Sequence, residues 1–130
     1  MEAAGARVVP LIDTEDYALI DEKLTQVNGV LFPGGEGDYL GIGEHIYQRL
    51  IEKNDSGDFY PLWGTCLGFE NMAILASDSG RPLSDLESTR KSLTLDFLVD
   101  DPKRDTKMFA TLADPEYFGE EAMAFNYHDF

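Results

Sequence analysis

Cysteine is almost absent from these 130 residues: a single thiol, Cys66, stands alone. That excludes an intramolecular disulfide and any cysteine-cluster zinc site, and it leaves two readings, a buried structural thiol or a lone nucleophile. Positive charge is scarce as well, with 10 Lys and Arg against 25 Asp and Glu and a net charge of −15. Phosphate backbones and anionic headgroups would find little to bind, so neither nucleic acid nor a membrane is expected as a partner. The carboxylates are spread along the chain and read mostly as solvated surface. Long apolar runs are missing too: none approaches the roughly 20 residues of a membrane span, so a soluble domain is expected. The opening MEAAGARVVP lacks the basic start and apolar stretch of a secretory signal. Internal repeats, low-complexity tracts and linkers are lacking.

What the chain does have is enough apolar content, 43% with 12% aromatic, for one core at about the usual size of a domain, so residues 1–130 are expected to form a single domain. The pattern along it alternates. EAAGARVV reads as a helix end at Gly5 leading into a strand over 6–12; helical spacing follows over 17–27, and NGVLFP (28–33) is a buried strand stopped by Pro33-Gly34-Gly35. Leu40, Ile46, Tyr47, Leu50 and Ile51 mark one face of a helix ending near Asn54, with His45 in mid-helix and expected to face solvent. A third strand (59–65) and a third helix (67–77) come next. Strands alternating with helices of this length predict a parallel sheet covered on both faces. The remainder is less regular: a loop over 78–91, strands over 92–99 and 123–127, and a short helix over 114–122.

The chemistry gathers at PLWGTCLGFE, residues 61–70, where strand, Gly64-Thr65-Cys66-Leu67-Gly68 and helix follow in the order of a nucleophile elbow. Such a turn forces the nucleophile into a strained conformation at the carboxyl edge of the sheet, and glycines stand where side chains would collide. It also sets the thiol at a helix N-terminus, whose free N–H groups favour a thiolate and can hold an oxyanion. The Pro33-Gly34-Gly35 turn ends a preceding strand at that same edge, where its amides are able to supply a second oxyanion donor.

NGVLFPGG followed by FYPLWGTCLGFE closely resembles the gamma-glutamyl hydrolase family of class I glutamine-amidotransferase-like cysteine peptidases, which shorten folate poly-γ-glutamate tails. EAAGARVVP and FNYH fit further family segments, and the likeness is loosest over about 78–110. The resemblance implies a flavodoxin-like three-layer α/β/α fold with a mostly parallel sheet. It also implies Cys66 as nucleophile, the Gly35 and Leu67 amides as oxyanion hole, Glu70 and His128 in the γ-glutamyl pocket, and no cofactor or metal. Poly-γ-glutamylated folate would be the substrate, the compartment lysosomal, vacuolar or extracellular, and a homodimer an option for full-length members. In the family a later WHPE-like segment supplies the histidine and glutamate that serve the thiol. Residues 1–130 reach no such segment, so the chain is expected to be cut at both ends relative to the family and inactive alone. Two alternatives stand beside this reading: a non-catalytic γ-glutamyl-binding or interaction module, and an amidotransferase-type glutaminase, which would keep the same two turns.

Overall fold

The computed structural model describes residues 1–78, 82–85 and 89–126. The chain divides into two compact units, Met1–Leu83 and Ser84–Phe130.

In the first unit, α1 (Tyr17–Leu24) starts at Asp16, whose carboxylate accepts a 2.8 Å hydrogen bond from the Ala18 N–H and so caps one of the orphan donors of the first turn. Strand β1 (Val30–Phe32), helix α2 (Leu40–Asp55), strand β2 (Leu62–Gly64) and helix α3 (Leu67–Ala76) follow. The crossover through α2 brings β2 alongside β1 in parallel, pairing Val30 with Leu62, Leu31 with Trp63 and Phe32 with Gly64, as a helical connection between neighbouring strands requires. Ile20 and Leu24 from α1, Phe32 from β1, Ile42, Ile46 and Leu50 from α2, and Tyr60 form the buried core, with Met72 and Leu75 of α3 packed against it. Asn54 locks the turn out of α2: its amide donates to the carbonyls of Leu50 (2.8 Å) and Tyr60 (2.9 Å) and its oxygen accepts from the Tyr60 N–H. No described helix is long and apolar enough to cross a membrane.

The architecture is thus mixed α/β with a two-stranded parallel sheet. Within the first unit it departs from the sequence reading in three ways. Gly5 does end a short helical turn, Glu2–Ala4, in a left-handed conformation (φ 88°), but the strand expected over 6–12 does not form. Pro10 has no N–H to offer a ladder, its carbonyl accepts from Lys23 Nζ, and the Ile12 N–H is taken by the Glu15 carboxylate; these local bonds compete with strand pairing. Second, the sheet is covered on one face only among the described residues: Leu31 and Trp63, cross-strand neighbours, stay 38% and 58% exposed. Third, His45 does not face solvent. Its Nε2 lies 2.8 Å from Asp21 Oδ1 and its ring stacks on Tyr17 at 4.2 Å, so it ties α2 to α1.

In the second unit, β3 (Lys91–Leu93) and β4 (Ala124–Asn126) pair antiparallel, not parallel. Between them lie two four-residue helices, α4 (Pro102–Asp105) and α5 (Tyr117–Glu120). Phe109 packs edge-on against Phe97 at 5.2 Å and lies 6.3 Å from Phe118, and Leu95 N–H donates to the Phe118 carbonyl at 2.7 Å. The strand expected over 92–99 is therefore much shorter, because from Leu95 onward the chain turns to serve this aromatic cluster. Of the expected loop over 78–91, residues 79–81 and 86–88 lie outside the described residues.

Candidate active site

Beyond Gly64 the chain continues β2 by one more bond, Thr65 N–H to the Phe32 carbonyl at 3.1 Å, then reverses at Cys66. That residue has φ 55° and ψ −121° and is the N-cap of α3. For a residue with a side chain this conformation costs on the order of 1–3 kcal/mol and persists only where its surroundings impose it. The surroundings are glycines. A Cβ at Gly68 would stand 2.1 Å from the Phe32 carbonyl oxygen, and one at Gly64 would stand 2.6 Å from Met72 Sδ and 2.7 Å from the Gly68 oxygen. Helix and strand approach so closely that no larger residue fits on either side of the thiol. The turn is then closed by Gly68 N–H to Thr65 O (2.9 Å), Phe69 N–H to Cys66 O (2.8 Å) and Glu70 N–H to Cys66 O (3.1 Å).

The Cys66 side chain is exposed. Leu67, the first residue of α3, has no acceptor for its N–H within the helix. The Pro33-Gly34-Gly35 turn meets the elbow directly: a Cβ built on Gly34 would lie 2.8 Å from Cys66 Cβ and 3.5 Å from its sulfur. Gly35, with φ 131°, holds a backbone conformation that side chains rarely adopt. Both turns singled out in the sequence thus come together at the carboxyl ends of β1 and β2.

Glu70 sits half-buried one turn into α3. His128 lies outside the described residues, and His45, the other histidine, is occupied with Asp21 and Tyr17. Among the described residues no group of three or more metal-ligating side chains converges. A concavity between α1 and α2 is lined by Asp21, Leu24, Arg49, Glu52, Lys53 and Ser56, none of them an elbow residue. Its charges satisfy one another: Arg49 pairs with Asp21 at 3.2 Å and Glu52 at 3.0 Å. Partial burial raises the Asp21 carboxyl, but hydrogen bonds from His45 and Arg49 outweigh it and hold the group below the usual carboxylate range.

Sequence reasoning missed Tyr39. Its hydroxyl donates to the Pro33 carbonyl at 2.7 Å and its ring meets Phe32 edge-on at 5.8 Å. Burial pushes the phenol's pKa up, while the neighbouring Asn71 amide pulls it down. Asn71, only 6% exposed, points an Nδ2 toward this cluster without reaching bonding geometry with any partner. Nothing local marks Tyr39 in the sequence; it returns to the strand end through the loop over 33–38, closed by the Asp38 carboxylate accepting from Leu40 N–H.

No protein-family model matches the chain. Individual proteins do. Gamma-glutamyl hydrolase 1 of Arabidopsis thaliana is 40% identical over 111 residues, which is 83% of this chain and 32% of that protein. Gamma-glutamyl hydrolase B of Dictyostelium discoideum is 39% identical over 103 residues, 75% of this chain and 30% of the relative, and gamma-glutamyl hydrolase of Rattus norvegicus is 34% identical over 98% of this chain and 42% of its own length. The chain spans between 30% and 42% of the length of these relatives. Likeness at this level, running through the elbow and the glycine turn that faces it, means that the chain belongs to the gamma-glutamyl hydrolase family.

Proposed function

We propose that this chain carries the nucleophile-bearing part of a cysteine hydrolase that cleaves the γ-glutamyl amide bonds of folate poly-γ-glutamates, and that its sheet belongs to a flavodoxin-like three-layer fold. The observation that carries the reading is the exposed thiol of Cys66 held at positive φ against the Pro33-Gly34 turn. In this reading the Cys66 sulfur, as thiolate, attacks the γ-carbonyl carbon. The carbonyl π pair moves to oxygen, which the Gly35 and Leu67 N–H groups receive; preorganised donors of this kind are each worth about 3 kcal/mol of barrier. When the pair returns, the carbon–nitrogen bond breaks, the amine leaves with a proton, and a thioester to Cys66 remains for water to hydrolyse. Glu70 accepts a hydrogen bond from the substrate on the side of the pocket formed by α3.

The step needs a base for the thiol proton and an acid for the leaving amine. The one described histidine is engaged elsewhere, and His128 belongs in this reading to the γ-glutamyl pocket, so a histidine from a further C-terminal segment fills that role. The test is turnover of a diglutamyl or longer γ-glutamyl folate. Residues 1–130 alone are expected to give no measurable hydrolysis, and the same residues extended by a histidine-bearing C-terminal segment are expected to give hydrolysis that Cys66→Ala abolishes. Turnover that survives Cys66→Ala, or ammonia release from free glutamine in place of folate cleavage, would sink the proposal.

A further inference from the structure

We infer that Tyr39 is a positioning residue for the oxyanion hole, fixing through its hydroxyl the glycine turn that faces Cys66; the inference rests on the reading proposed above. Three observations meet in this side chain. Its Oη donates at 2.7 Å to the carbonyl of Pro33, the residue that opens the turn, and a carbonyl pinned in this way fixes the plane of the Pro33–Gly34 peptide. That plane also carries the Gly34 N–H and sets where Gly34 lies against Cys66, an approach so close that a Cβ on Gly34 would be 2.8 Å from the Cys66 Cβ; it is the peptide immediately before the one that bears the Gly35 N–H. The ring is itself held: it stands edge-on to Phe32, and both rings lie against α2 at Gly43, where a Cβ would make ordinary contacts with Phe32 at 3.6 Å and Tyr39 at 3.8 Å. Finally, the side-chain amide of Asn71, more than nine-tenths buried, lies beside the same phenol.

Glycine turns are soft, because two glycines in succession confine the chain weakly. A phenol anchored on β1 and α2 replaces that missing stiffness, and donor placement is what an oxyanion hole depends on, since errors of about 1 Å cost on the order of a hundredfold.

The test compares two reactions of Cys66 in the full 130-residue chain, so that no general base is needed. N-acetyl-glutamate γ-semialdehyde adds the thiol across its carbonyl: the sulfur–carbon bond forms, the carbonyl π bond breaks, and the oxygen, taking the thiol proton, sits where the oxyanion would. Iodoacetamide alkylates the same sulfur by displacing iodide and uses no oxyanion donor. Tyr39→Phe keeps the ring on Phe32 and removes only the hydroxyl. It is expected to raise the aldehyde concentration that half-protects Cys66 from alkylation by about tenfold, with the alkylation rate itself unchanged. If wild type is protected and Tyr39→Phe is protected equally, or if both reactions slow together in Tyr39→Phe, the positioning role is wrong while the hydrolase reading stands. If wild-type Cys66 alkylates readily but the aldehyde never protects it, the oxyanion hole is absent and the hydrolase reading falls with the inference.

Discussion

The two units of this chain are built on unlike terms. Met1–Leu83 buries Ile20, Leu24, Phe32, Ile42, Ile46, Leu50 and Tyr60 in one contiguous core, whereas Ser84–Phe130 relies on contacts among Phe97, Phe109 and Phe118, and every residue of its β3 is exposed. The elbow stands on the first of these. A strained thiol turn needs neighbours that cannot yield, and only packed elements at native density provide them. The lesson is that the site's geometry is a property of the core under it, with Phe32 serving both: its ring is core and its carbonyl sets the limit on Gly68.

The contrast can be broken by substitutions matched across the two units. Leu50→Ala, at a site only 2% exposed, is expected to remove about 3–4 kcal/mol from the first unit. Leu93→Ala in β3, at 44% exposure, should stay within about 0.5 kcal/mol of wild type. Urea denaturation of each variant checks both, and equal losses would mean that the units share one cooperative core. Next in size is Gly68→Ala, whose methyl meets the Phe32 carbonyl: a loss of about 2–3 kcal/mol is expected, together with a changed iodoacetamide rate at Cys66. Gly119→Ala in α5 meets the Leu95 carbonyl at a tight 3.3 Å, less severe than the 2.1 Å at Gly68, and should change stability by no more than about 1 kcal/mol.

A third comparison sets the folded chain against the unfolded one. Since Cys66 is already exposed, strong denaturant should not accelerate its alkylation more than about threefold, whereas a buried thiol would gain orders of magnitude on opening. The smallest effect concerns pH. The folded Asp21 carboxyl is held low by His45 and Arg49, so its contribution is present above the unfolded carboxylate pKa of about 3.9 and is lost as pH falls through the lower folded value. Asp21→Asn should therefore destabilise the first unit at neutral pH, by less than about 1 kcal/mol for so exposed a pair, and the difference should vanish in acid. In the second unit Asp105 is also held low, by Arg104 beside it; this pair lies at the surface, where ion pairs contribute little, and Asp105→Asn should leave the melting temperature nearly unmoved.

Elements that face the core were legible because burial imposes a period. Helix α2 was expected over 40–54 and runs Leu40–Asp55, and β1, β2 and α3 fell within their expected spans. The Gly-x-Cys-x-Gly spacing pointed to a tight turn because steric exclusion by backbone is written in glycine itself. What escaped depended on partners distant in the chain or on side-chain bonding. The apolar run over 6–12 had strand composition, yet Pro10, Glu15 and Lys23 disposed of its hydrogen bonds otherwise. Helix α4 escaped as well: the Asp101 carboxylate accepts from Arg104 N–H and Pro102 takes the first position, but its four residues are too few to show a period. Tyr39 and His45 escaped for one reason: each takes its meaning from a contact that helix spacing alone does not specify.

The indole of Trp63 has an optical consequence. It is the chain's only tryptophan, it stands 58% exposed on the open face of the sheet, and its Nε1–H is tied at 3.0 Å to the hydroxyl of Thr65, the residue next to the thiol. Fluorescence excited at the red edge, where tyrosines do not absorb, therefore comes from a single emitter fastened to the elbow. A ligand that settles beside Cys66, or an adduct formed on its sulfur, changes the water and the dipoles around that emitter, so the molecule carries its own spectroscopic label at the position where chemistry is proposed.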